Sequence, residues 1–128
     1  MATGLNNLKI YQLAKDLELK IHRITKNFPP EEKYRSVDQL NRSSAAVANN
    51  IAEAYNKRST KEKIHILRDV AISEAEETES NISRCGDKGF LPKEEAEKIA
   101  RDCIETKKAI YGYIRFLRST TKTSKLED

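Results

Sequence analysis

Apolar and polar positions alternate along this chain with a helical period. From Leu8, the apolar residues Leu8, Tyr11, Ala14, Leu17, Ile21 and Ile24 recur in steps of three and four, which puts them on one helical face. Lys9, Lys15, Lys20, Arg23 and Lys26 fall largely off that stripe. The first helix is expected to stop before Phe28-Pro29-Pro30, because proline disfavours helical geometry in the residue before it. Pro30 with Glu31 and Glu32 suits a short helical turn. Ser36-Val-Asp-Gln39 reads as a capping box opening a second helix over 37–55, striped by Val37, Leu40, Val47, Ile51 and Ala54 with Ser44 in the row. Ser59-Thr-Lys-Glu62 is a second capping box. The third helix then carries Ile64, Leu67, Ala71, Ala75, Thr78 and Ile82 on one face and is expected to end at Cys85-Gly86, with Gly86 as left-handed cap. Pro92 opens a fourth, striped by Ala96, Ile99, Ala100, Cys103, Ile104, Ile110, Tyr111, Ile114 and Leu117.

These elements predict an all-α, antiparallel, up-down-up-down four-helix bundle over 8–118, after a lead at 1–7. The segment 119–128 shows no periodicity and reads as a flexible tail. Composition sharpens the picture. With 38 % hydrophobic residues, 34 % charged and no Trp among 128, a thin bundle that shares surface with copies of itself is favoured over a deep monomeric core. Four Gly and three Pro are sparse punctuation, as long helices require. Cys85 and Cys103 have no zinc or disulfide spacing and are expected to be free thiols. The opening MATGLNNLKIYQLAKDL has no long apolar run, so neither membrane anchor nor signal peptide is expected, and the cytoplasm is the default.

The segment from Arg42 to Ser59, RSSAAVANNIAEAYNKRS, is helical in spacing yet poor in bulk. Arg42, Ala46, Asn50 and Glu53 share one side of the second helix, with Asn49 beside them. Periodicity leaves two readings open: the Asn pair faces water, or it forms a polar seam against the third helix or another subunit. In the seam reading Arg42 is the natural counter-charge for Glu53 or Glu77, and small neighbours let a second helix approach.

NLKIYQLAKDL, ITKNFPPEEKY, DQLNRSSAAVANNIAEAYNKRS and FLRS, in this order, resemble the four-helix-bundle family named for the 23S rRNA intervening-sequence protein. The most specific piece is Asn50-Ile51-Ala52-Glu53, preceded by Arg42 and followed by Tyr55 and Arg58. The resemblance implies a bundle that assembles into a ring, commonly a pentamer, with no enzymatic activity attached. The family includes the accessory variability determinants of diversity-generating retroelements, whose basic ring is thought to hold reverse transcriptase and template RNA. Arg42, Asn50, Glu53 and Glu77 keep the family's residue types. Ala46 and Ala54 stand where Ser and Gly are usual, Ser73-Glu74 replaces a small pair, and Thr78 replaces a Leu.

Catalytic chemistry finds little footing. Glu62-Lys-Ile-His65 is one Glu-x-x-His motif where a di-metal bundle needs two, so no metal site and no cofactor are expected. Arg58 and His65 loosely fit the Arg-and-His spacing of helical ribonucleases, the least favoured of three readings. Cationic side chains are more informative. Lys57, Arg58, Lys61 and Lys63 crowd the turn into the third helix, and Arg115, Arg118 and Lys122 lie near the C-terminus beside Tyr111, Tyr113 and Phe116. Tyr111 is expected in the core, while Tyr113 is left open. A net charge of +4 per chain grows with copy number, and these seven cations are the expected contacts to phosphate. The expectation is a non-enzymatic, ring-forming bundle. It binds structured RNA or other nucleic acid, as accessory to an RNA or reverse-transcriptase complex. The alternative is a scaffold for a protein partner.

Overall fold

The computed structural model describes the backbone of residues 4–127 and the side chains of residues 4–120. Every regular element among the described residues is helical. A short turn, Leu5–Asn7, leads into α1 (Lys9–Thr25), and a second turn, Pro30–Glu32, precedes α2 (Ser36–Tyr55). Next come α3 (Thr60–Ile66), a wide π-helical turn (Leu67–Ala71) and α4 (Ile72–Asp87), which together form one rod. The last helix is α5 (Lys93–Glu127). Four helical rods therefore carry the fold, with α1 packed on α2 and α5, and α4 on α2 and α5. No described helix is long and apolar enough to cross a membrane.

The stripes sit inside, as helical periodicity requires. One cluster, at the end built by α3 and the close of α2, joins Ile10, Val47, Ile51, Leu67, Ile110 and Ile114. A second, towards the opposite end, joins Leu17, Ile21, Leu40, Ile82, Ile99 and Cys103. Buried apolar area of this kind contributes about 25 cal/mol per Å². Ion pairs join helices at the rim: Lys20 to Asp102 across α1 and α5 at 2.7 Å, and Lys107 to Glu79 across α5 and α4 at 2.8 Å.

Several expectations change. Ser36 is already helical, and its hydroxyl and N–H both turn back to the Glu32 carboxylate, so the preceding turn caps α2 in place of the Ser36–Gln39 box. The box at Ser59 does form: its hydroxyl accepts the Glu62 N–H at 3.1 Å and donates to the Glu62 carboxylate. Gly86 is not the left-handed cap. That residue is Gly89, at φ +81, with Phe90 N–H closing on the Cys85 carbonyl and Gly89 N–H on that of Gly86. Gly86 stays helical because α5 passes close by: a Cβ there would lie 2.6 Å from the Cβ of Ala96. On α5, Ile104 and Tyr111 leave the expected stripe for the surface, and Thr106 is buried instead. Its hydroxyl is satisfied by the Asp102 carbonyl at 2.8 Å, which makes a polar residue tolerable there. The backbone from Ser119 continues α5 through Glu127.

Candidate nucleic-acid interface

The link from α2 to α3 folds tightly because Asn56 ends one helix and Ser59 caps the next. Lys57 and Lys61 thereby reach the rim of an open concavity of about 860 Å³. Arg68 of the π turn and Arg118 of α5 reach the same rim, with Ile64 and Ile66 below. Four cations from separate segments thus surround one opening. Their charge is partly answered. Lys57 lies 4.0 Å from Glu53, and Arg68 grips Asp69 through Nε at 2.9 Å and a terminal nitrogen at 3.1 Å. Lys61 and Arg118 have no described ion pair.

The other expected contacts are distributed differently. Arg58 is exposed but does not line the concavity. Lys63 points to another side of α3, its ammonium 5.9 Å from the Tyr55 ring centroid and 3.5 Å from the Tyr55 carbonyl. Arg115 is exposed one turn before Arg118. The side chain of Lys122 lies outside the described residues.

Sequence reasoning overlooked the trio at the π turn. Asp69 holds Arg68 on one side and His65 Nδ1 on the other, at 2.7 Å. Chiefly through its hydrogen bond to Arg68, the Asp69 carboxyl is kept below the usual aspartate range, and the Arg68 guanidinium is raised in turn. The i, i+4 spacing of His65 and Asp69 was the available signal. Glu62 serves its cap and His65 serves Asp69, so the two do not converge on a shared ligand. Among the described residues no group of three acidic, His or Cys side chains is arranged for a metal.

The seam also changes membership. Arg42 is exposed and pairs with Asp38 at 3.3 Å, not with Glu53 or Glu77. Asn49 is exposed, whereas Asn50 is half-buried and donates to the Ala46 carbonyl at 2.7 Å within its own helix. Glu53 and Glu77 are exposed. Partial burial, then the adjacent Glu77, push the Glu74 carboxyl up, while Arg42 draws it down. These residues form an outward polar face of α2 and α4. The buried contact between those helices is made instead by Ser43 with Thr78, 2.7 Å apart, and at its exposed edge Asn81 donates to Gln39 at 3.3 Å. Each hydroxyl also reaches a carbonyl of its own helix, Thr78 that of Glu74 at 2.9 Å and Ser43 that of Leu40 at 3.4 Å. The substitution of Thr for an apolar residue is thereby matched by a hydroxyl partner on α2.

The described residues thus define a class by fold, an all-helical four-rod bundle, with cations gathered at one end. The chain matches the 23S rRNA-intervening sequence protein family over residues 6–112 and belongs to that family. Its fold is similar to that of a crystallised protein of unknown function from the S23 ribosomal protein family of Bacteroides thetaiotaomicron. That likeness has a TM-score of 0.72 at 23 % identity and covers 82 % of this chain and 97 % of the other. No curated protein matches the sequence.

Proposed function

We propose that this protein is a non-enzymatic, basic bundle whose helices run alternately up and down. Copies of it assemble into a ring, a pentamer by family resemblance, that binds structured RNA as accessory to a cytoplasmic RNA or reverse-transcriptase complex. One observation carries the reading: Lys57, Lys61, Arg68 and Arg118, from three parts of the chain, converge on one open concavity. Convergence of cations without a base-reading motif suits phosphate recognition by shape and charge. Assembly amplifies it, since five copies of a +4 chain sum to +20, and polyanion binding is driven by counterion release. The outward polar face of Arg42, Asn49, Asn50, Glu53 and Glu77 is the surface offered to neighbouring copies.

The test is binding of a folded RNA by nucleic-acid-free protein across a salt series, with assembly mass read by light scattering. The expected result is affinity that falls steeply with salt, and that is lost in the double variant K61E/R118E while the mass is unchanged. Salt-independent binding, or full affinity in the variant, would sink the proposal. A second reading, a scaffold for a protein partner, is favoured by Phe116, which is 60 % exposed and packs at a tilt on Tyr113. Under that reading F116A removes the partner and leaves RNA affinity intact.

A further inference from the structure

The terminal stretch of α5 is chemically one-sided. From Thr106 to Leu126 there is no Asp or Glu, while Lys107, Lys108, Arg115, Arg118, Lys122 and Lys125 are cationic. Three aromatic rings are interleaved with them, and they do not play the same part. Tyr113 is half-buried against the core. Tyr111 is 43 % exposed although the apolar spacing points it inward. Lys108, Tyr111, Arg115 and Arg118 are three, four and three residues apart, so they share one face of the helix, and all four are exposed. Arg118 belongs both to this face and to the rim of the concavity at α3. The face is therefore a cationic path with one ring at its middle, leading into the basic opening.

Phe116 supplies the contrast. At 3.6 residues per turn it lies about 140° round the helix from Tyr111. Its neighbours one turn away on the same helix are Gly112, Tyr113, Ser119 and Thr120, with the Arg115 guanidinium beside Gly112. An exposed ring packed against a second ring, with its centroid 5.9 Å from that of Tyr113, suits a protein contact. A ring set among cations suits a nucleobase, whose phosphates those cations hold on either side. Base–aromatic stacking needs an unpaired base, because in a duplex the faces are already stacked, and it tolerates any base identity.

We infer that Tyr111 is a stacking residue and that the α5 face Lys108–Tyr111–Arg115–Arg118 takes the unpaired segments of a nucleic acid, Lys108, Arg115 and Arg118 holding the phosphates to either side of the stacked base. This inference rests on the RNA-binding reading above and narrows it to single-stranded parts of the ligand. An acidic protein would be drawn by the same cations but gains nothing specific from a ring between them.

The experiment compares an unstructured oligouridylate with a blunt RNA duplex of equal length, both titrated by fluorescence anisotropy with full-length protein. Wild type should bind the single strand more tightly than the duplex. Y111A should weaken the single strand about tenfold and leave the duplex unchanged. Y111F, which keeps the ring, should retain the preference, and F116A should change neither. Circular dichroism and light scattering establish that each variant folds and assembles. Equal losses on both ligands in Y111A, or none on either, would overturn the stacking role while leaving RNA binding by the concavity standing. No binding of either ligand by wild type would overturn the parent proposal and this inference together. Loss of both ligands in K61E/R118E with the Tyr111 effect intact would support both.

Discussion

Replacing Gly86 by Ala puts two opposed effects at one position, and the structure decides between them. In an open helix the change is favourable by about 1 kcal/mol, because Ala loses less backbone entropy. At Gly86 the added methyl would meet the Cβ of Ala96 at 2.6 Å, whereas carbon atoms rest about 3.5–4.0 Å apart. Both atoms are the first of their side chains, so no rotamer change relieves the contact. Helices α4 and α5 must separate by about 1 Å along their seam. Overpacking of this kind costs about 1–3 kcal/mol, which leaves a net loss of up to about 2 kcal/mol after the gain in helix propensity. The assay is denaturant unfolding at fixed protein concentration, where the midpoint of G86A should fall while the slope stays that of wild type. A96G supplies the internal check. Alone it should destabilise by about 1 kcal/mol, yet added to G86A it should recover most of the loss, because it removes the second methyl. A G86A protein more stable than wild type by the full propensity gain of about 1 kcal/mol would refute the close approach of α4 and α5.

Two further outcomes follow from titratable groups. The Glu32 carboxyl is held below the ordinary glutamate range, first by the Ser36 hydroxyl, so it stabilises the fold above its unfolded-state value and that contribution disappears as pH falls through the folded value. E32Q should therefore be less stable than wild type near neutrality, with the gap closing towards pH 3 in urea melts; a gap that does not change with pH would contradict the capping role. Burial, assisted by Glu79 and Asp102, pushes the Cys103 thiol up to about 12, so native protein should resist disulfide reagents at pH 8 and label fast once unfolded. Native labelling of Cys103 at the speed of an exposed thiol would show that the α5 core is open.

Most of the frame is written in spacing, because a residue such as Leu17 or Ile51 has few ways to avoid water other than facing its neighbours along a stripe. What spacing does not carry is identity across helices. Ser43 and Thr78 are polar and were not candidates for a buried pair, yet each satisfies the other, and only the docking of α2 on α4 brings them together. Tyr111 and Ile104 fit the α5 period and still lie outside, since an apolar arc can be wider than the surface available to cover it. The basic turn was legible as a cluster at Lys57, Arg58, Lys61 and Lys63, of which Lys57 and Lys61 line the concavity. Its completion by Arg68 and Arg118 depends on how α5 passes the π turn. Both capping boxes are read from the sequence, but only that at Ser59 forms, because Glu32 takes the Ser36 hydroxyl from the turn before.

The wide turn at Leu67–Ala71 sets the phase of a rod. Its Ile72 N–H reaches back five residues to the Leu67 carbonyl, one more than the ordinary helical bond. A single residue is thus absorbed without breaking the rod, and the helix beyond is rotated by about 100° from where uninterrupted winding would leave it. Ile64 and Ile82 are both buried on the two sides of that turn. Deleting one residue there would let the rod wind as ordinary helix with its two halves still in phase, whereas winding the same residues without the wide turn would carry Ile82 out of its buried position. The irregular turn therefore acts as a gear tooth that keeps the two halves of the bundle meshed.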